Sequence, residues 1–238
     1  MDCYLKNKCK LFAAGECGNE PYCQYKDRSD RLFDSAMIPP NKREMQNLIN
    51  DTDGGKDDTV AIIRSITENK GTLQSFIERG INLLLYSEKP GNGKTSCALQ
   101  ICRAYIDLIW YKADVGSCKV LFVNVPRYLN ELKSVISGRQ SDYVEHVREN
   151  ILTADIVVFD DIATKIATEF EMEMLFTAID NRLYNGKNCI FTSNTPPNHM
   201  VDSVGARIAS RIIGESKALK FEGRDKRGLT FNGTTSSN

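Results

Sequence analysis

Residues 88–95 read Glu-Lys-Pro-Gly-Asn-Gly-Lys-Thr. They are predicted to sit where an apolar strand ends and a helix begins, the arrangement that a phosphate-binding loop requires. Gly91 and Gly93 let backbone N–H groups curl around phosphate oxygens. Lys94 reaches the β- and γ-phosphates, and the Thr95 hydroxyl suits a Mg2+ ion. Pro90 stiffens the loop, while Asn92 and Ser96 complete the cradle. Against the pattern G-x-x-x-x-G-K-[ST], the departure is Glu88 in the first place. That position is at the strand exit, farthest from the cradle, so nucleotide binding should survive. A second group is Ile-Val-Val-Phe-Asp-Asp at 156–161. Four apolar residues there carry two carboxylates to a sheet edge. Asp160 suits the Mg2+ shell, and Asp161 suits polarising an attacking water. Asn194, ending Cys-Ile-Phe-Thr-Ser-Asn, could orient that water. Arg207 and Arg211 are four residues apart and so share one helix face. They form either a surface cluster or an arginine finger for a neighbouring subunit's nucleotide.

These groups need a scaffold, and the hydrophobic pattern supplies one. Strands are predicted at 82–87, 119–125, 155–160, 188–193 and 218–221. Helical spacing appears at 96–111, 128–136, 143–152, 169–184 and 207–213. Met172, Leu175, Phe176, Ile179 and Leu183 fall on one helix face. Strands alternating with helices imply an α/β fold: a parallel sheet with helices on both sides. The charged stretch 24–34 reads as a connector, 36–43 with its two prolines as extended, and 50–58 as a polar loop. The expected division is a Cys-rich module at 1–30, a main domain at 31–229 and a disordered tail at 230–238.

Composition narrows the class. The 238 residues carry 31 basic and 31 acidic side chains, with 41% hydrophobic and 26% charged content. A uniformly basic nucleic-acid coat and an acidic disordered chain are both excluded. No apolar run is long enough to span a bilayer and no signal-peptide core is seen, so a cytoplasmic protein with no membrane partner is expected. Among eight cysteines, Cys97, Cys102, Cys118 and Cys189 lie in apolar segments and read as core. Cys3, Cys9, Cys17 and Cys23 instead crowd into the first 23 residues with spacing C-x5-C-x7-C-x5-C. So short a segment cannot bury a core, and a tetrahedral thiolate Zn2+ site would supply the missing folding energy. An iron–sulfur cluster, or free or disulfide-forming thiols, are the alternatives.

Together these residues resemble the DnaC/DnaI-type replicative helicase loaders and the related IstB-type ATPases, within the AAA+ class. The resemblance covers 31–228. It runs through Ala-Met-Ile-Pro-Pro-Asn-Lys-Arg at 36–43, the phosphate loop, Val-Val-Phe-Asp-Asp-Ile, and the segment 170–194 with its helix, turn and strand. It ends in Gly-Ala-Arg-Ile-Ala-Ser-Arg-Ile at 205–212 and the segment 221–228. The resemblance implies a three-layer AAA+ P-loop domain with a five-stranded parallel sheet. It implies ATP and Mg2+ as cofactors, hydrolysis of ATP, and self-association. It also implies assembly on a hexameric DnaB-type helicase that is then placed on single-stranded DNA. The N-terminal module would grip the helicase, and a phage replication module is one source of such a chain. Two departures stand out. The family's Asp-Glu pair is Asp160-Asp161 here, which suggests slow hydrolysis. Too few residues follow Phe221 for a helical lid, so a lid-borne sensor arginine is expected to be absent.

Two segments are candidate DNA contacts. Residues 205–228 hold seven basic against three acidic side chains. Residues 127–148 carry Arg127, Lys133, Arg139 and Arg148, with acids interleaved. Such cations would hold backbone phosphates. Alternative functions are an IstB-type transposition helper, a small P-loop kinase, and an adaptor that binds ATP without hydrolysing it.

Overall fold

The computed structural model of the protein describes residues 9–17, 23–43, 58–163 and 168–222. Five strands carry the architecture: β1 Asn82–Tyr86, β2 Val120–Asn124, β3 Ile156–Asp160, β4 Asn188–Ser193 and β5 Ser216–Lys220. All pair in parallel, in the order β2-β3-β4-β1-β5. The first four are almost wholly buried and read as unbroken apolar runs, because helices cover both faces.

Successive strand residues point to opposite faces, and this sorts the core into two. Leu83, Leu85, Val120, Phe122, Ile156, Val158 and Ile190 face one side. There they meet α2 (Gln24–Ser35), α3 (Asp58–Glu68), α4 (Lys70–Glu78) and α5 (Lys94–Ile109). Leu84, Leu121, Val123, Val157, Phe159, Cys189 and Phe191 face the other. Their partners are α6 (Val125–Ile136), α7 (Asp142–Asn150), α8 (Glu169–Tyr184) and α9 (Met200–Glu215). A one-turn helix, α1 (Lys10–Ala13), precedes them. The three-layer α/β fold is the expected one.

Local chemistry starts the helices where they are needed. Asn124 and Ser141 cap α6 and α7 with side-chain oxygens. At α8, Thr168 and Glu171 form a reciprocal capping box. Gly205 interrupts α9 with φ 77°, and a Cβ there would come within 3.1 Å of Met172 Sδ.

The N-terminal half differs from expectation. Residues 24–34 are not a connector but most of α2, which runs through residue 30. Its sequence is dense in charge, yet Ser29, Leu32, Phe33 and Ala36 form a narrow buried stripe. Arg28 fastens α2 to the end of α5 by donating from Nε to Trp110 O at 2.5 Å and from Nη2 to Ala113 O. The main chain then covers the sheet edge, where Phe122 N donates to Ala36 O at 2.9 Å. Helices α3 and α4 were not anticipated. In the stretch expected to be extended, residues Pro40–Lys42 make a turn of 3-10 helix. The tail expected at 230–238 and most of the loop at 50–58 lie outside the described residues.

The edge of the sheet opposite the phosphate loop is organised by one buried guanidinium. Arg182, 1% exposed, donates from Nη1 to Ile151 O (2.8 Å) and Ala154 O (2.9 Å). Its Nη2 reaches Asn188 O at 2.7 Å and Asp155 O at 3.4 Å. Burial pulls its pKa below the usual arginine value, against the opposing pull of Cys189, Asp155 and Cys118. Beside it the turn after α4 meets the turn after α8. A Cβ on Gly80 would lie 2.2 Å from Gly186 O, and Gly80 has φ 58°, so only glycine fits.

Candidate functional site

The phosphate loop leaves β1 at Tyr86 and enters α5 at Lys94. Gly91 (φ 77°) and Gly93 (φ 97°) occupy the left-handed region that lets the backbone turn inward. Lys94 is 5% exposed, and its Nζ donates to Asn92 Oδ1 at 3.1 Å and to Lys89 O at 3.3 Å. Asn92 is itself buried. Its Nδ2 donates to Ser87 Oγ and, at 3.2 Å, to Phe221 O beyond β5. Ser87 Oγ also accepts from Lys89 N at 3.1 Å. The loop is therefore braced from within, with its lysine aimed along it.

The acidic pair ends β3, next to α5. Thr95 Oγ1 donates to Asp160 Oδ1 at 2.8 Å. These two oxygens are hard, adjacent and of the type that Mg2+ takes. The donor set therefore fits the ion, which Thr95 and Asp160 would hold. Asp161 has φ 56°, a conformation that costs a non-glycine residue about 1 kcal/mol. It is held there from β4: its N donates to Thr192 Oγ1 at 2.9 Å, and Asn194 Nδ2 donates to its Oδ1 at 3.2 Å. Asp160, Asp161 and Asn194 thus meet the phosphate-loop residues Lys94 and Thr95 at one edge of the sheet.

Two residues of this cluster were missed in the sequence. Thr192 Oγ1 donates to Asp160 Oδ1 at 2.8 Å, and Asn124 Nδ2 lies 3.4 Å from Asp160 Oδ2. Both had a signal. Thr192 lies two residues before Asn194, hence on the same face of β4. Asn124 is the polar end of an otherwise apolar strand, in register with Asp160.

Arg207 and Arg211 sit on α9 and pair with α8. Arg207 Nη1 is 3.1 Å from Glu173 Oε2 and its guanidinium lies 3.9 Å from the Phe176 ring centroid. Arg211 Nε is 2.7 Å from Asp180 Oδ1. The Arg207 side chain remains 68% exposed. The candidate DNA cations are partly absorbed by the fold. Arg127 pairs with Glu131 at 2.6 Å and Lys133 with the buried Glu171 at 3.1 Å, while Arg139 and Arg148 are exposed. Lys217 is exposed, Lys220 pairs with Glu222, and Arg224, Lys226 and Arg227 lie outside the described residues.

Nothing among the described residues supports the expected zinc site. Among the described residues no group of three or more His, Cys, Asp or Glu side chains is gathered to hold a metal, although Cys9, Cys17 and Cys23 are all described. Cys3 lies outside the described residues. Cys23 is the N-cap residue of α2 but makes no side-chain capping bond, and that helix is docked to the core by its own apolar stripe and Arg28. Thiolates are not needed to hold it. The other four cysteines are buried as expected. Burial pushes the Cys102 and Cys118 thiols up to about 12.

A parallel sheet in this order, a Gly-Lys-Thr loop, an acidic pair and a polar residue on the strand between them define a P-loop nucleotide-binding protein of the AAA+ class. The family described as bacterial DnaA ATPase domain matches residues 62–215, and the chain belongs to it. Membership implies ATP binding. The chain is 24% identical over 139 residues to the replicative helicase loader DnaC of Buchnera aphidicola subsp. Schizaphis graminum, covering 58% of this chain and 53% of that protein. It thus spans about half the length of such curated relatives. In fold it is similar to the crystal structure of DnaI, with a TM-score of 0.56, 19% identity, and coverage of 80% of this chain and 94% of that one. A putative primosome component from Streptococcus pyogenes gives a TM-score of 0.56 at 18% identity, over 84% and 97% of the two chains. No helix among the described residues is long and apolar enough to cross a membrane.

Proposed function

We propose that this chain is an ATP-dependent loader that binds a replicative DNA helicase and helps place it on single-stranded DNA. The observation that carries the ATP-dependent part of the reading is the junction of two pairs, Thr95–Asp160 and Asp161–Asn194, beside Lys94. The first pair would hold Mg2+, which when bound would supply charge neutralisation at the phosphates. The second is built for hydrolysis rather than for binding alone. Lys94 holds the β- and γ-phosphates in line. Asn194 orients a water, and Asp161 accepts its proton as the water oxygen bonds to the γ-phosphorus. The bond to the β–γ bridging oxygen breaks, giving ADP and phosphate. An aspartate in this second place reaches one methylene less far than glutamate, so turnover is slow without a neighbour.

The neighbour is a second copy whose Arg207 and Arg211 approach the nucleotide. An exposed arginine held by one exposed carboxylate and stacked on one ring, as Arg207 is on Glu173 and Phe176, can change partners at modest cost, since each such exposed contact is worth about 0–1 kcal/mol. Arg207→Ala should therefore leave stability and ATP binding unchanged. The rise of ATPase activity per subunit with protein concentration should be lost. Equal activity at every concentration in both proteins would sink the finger assignment.

The partner class rests on relatives named helicase loaders. Its test is co-elution of the purified chain with a replicative helicase hexamer in the presence of ATP, for the full chain and for a truncation lacking residues 1–22. The cut falls before α2, because α2 is part of the core. A stable complex that weakens on truncation is expected, and so is capture of single-stranded DNA through Arg139, Arg148 and the C-terminal cations. No complex with the full chain overturns the loader reading.

A further inference from the structure

Thr192 is fully buried on β4, and its single hydroxyl is used twice. It donates to Asp160 Oδ1 at 2.8 Å and accepts from Asp161 N at 2.9 Å. A hydroxyl has one proton, so once it donates that proton's hydrogen bond to Asp160 its lone pair is free to accept from Asp161 N–H. The main chain repeats the attachment one residue on, where Ile162 N donates to Thr192 O at 3.0 Å. The same strand then presents Asn194 to Asp161 Oδ1 at 3.2 Å. Asp160 Oδ1 accepts a second hydrogen bond from Thr95 Oγ1 at 2.8 Å, so the two hydroxyls fix the rotation of that carboxylate.

We propose that Thr192 is a positioning residue that makes the metal carboxylate of Asp160 and the left-handed turn of Asp161 one rigid unit with the strand bearing Asn194. This rests on the ATPase reading above and deepens it. Thr192 does not touch nucleotide; it sets where Asp160 meets the metal and where Asp161 meets the water. Valine has the same shape with neither a donor nor an acceptor. In Thr192→Val, the Asp161 N–H loses its buried acceptor, and Asp160 keeps only Thr95 and the longer contact from Asn124 at 3.4 Å, which hold its rotation less firmly. Serine restores both bonds.

The test compares ATP binding with Mg2+ and with EDTA, and kcat, in the parent, Thr192→Val and Thr192→Ser. Metal-free binding should be unchanged in all three, because the cradle of 88–95 is intact. The Mg2+-dependent gain in affinity, and kcat, should fall about tenfold or more in Thr192→Val, the scale found for residues that orient metal ligands. Thr192→Ser should stay close to the parent. If Thr192→Val fails to fold, Thr192→Ala carries the same comparison. An unchanged Mg2+ dependence in Thr192→Val, or a serine variant as impaired as the valine one, overturns the positioning role. A parent that binds no ATP overturns the ATPase reading itself, and the role with it.

Discussion

Lys94→Ala should reduce ATP affinity by a factor of about 10² or more. The ammonium is 5% exposed and is aligned by Asn92 Oδ1 at 3.1 Å and Lys89 O at 3.3 Å, so its direction is set before a ligand arrives. A hydrogen bond from a charged group contributes about 1.5–3 kcal/mol, and two phosphate groups would each receive one. That sum corresponds to a loss of about 10² to 10⁴ in affinity. The variant should remain folded, because Asn92 keeps its bonds to Ser87 and Phe221. Titration with a fluorescent ATP analogue reads the affinity, and circular dichroism checks the fold. Affinity within about threefold of the parent would mean that triphosphate does not occupy this loop.

The second large effect is on stability, at the other end of the sheet. Arg182→Met should destabilise the protein by about 3–5 kcal/mol, the scale for breaking a buried charged hydrogen-bond network. Methionine replaces the stem but leaves the carbonyls of Ile151, Ala154 and Asn188 without their close donors. Those carbonyls end α7 and open β3 and β4, so three connections loosen together. Arg182→Lys should recover little, because one ammonium cannot span the fork. For a chain of this size the midpoint of thermal melting should fall by about 10 °C. A loss under about 1 kcal/mol in denaturant titration would show that the carbonyls find other donors.

Much of the site could be read before folding because its chemistry is local. Gly91 to Thr95 are contiguous, and the pair Asp160-Asp161 closes an apolar run that reads as a strand on its own. The four strands covered on both faces are apolar runs that can be recognised, and they were found to within one residue at their ends, while the mostly exposed β5 was found to within two. Helix α2 escaped because its buried stripe is Ser29, Leu32, Phe33 and Ala36, outnumbered by charges whose partners lie elsewhere, as Arg28's do at 110 and 113. Thr192 and Arg182 escaped for a different reason. A lone threonine in a strand or arginine in a helix has its ordinary meaning until topology brings β3 beside β4 and the end of α7 beside Arg182.

Asn92 has a thermodynamic consequence. Its amide already joins the loop to Ser87, Lys94 and the residue after β5. Ordering a free backbone takes about 1–2 kcal/mol of conformational entropy per residue. For residues 88–94 that loss falls on folding, when the loop is braced by its own chain, and not on the arriving nucleotide. Binding should then resemble the docking of a rigid body, fast and with little heat-capacity change. The affinity of this loop reports its contacts with phosphate almost undiluted by the work of shaping it.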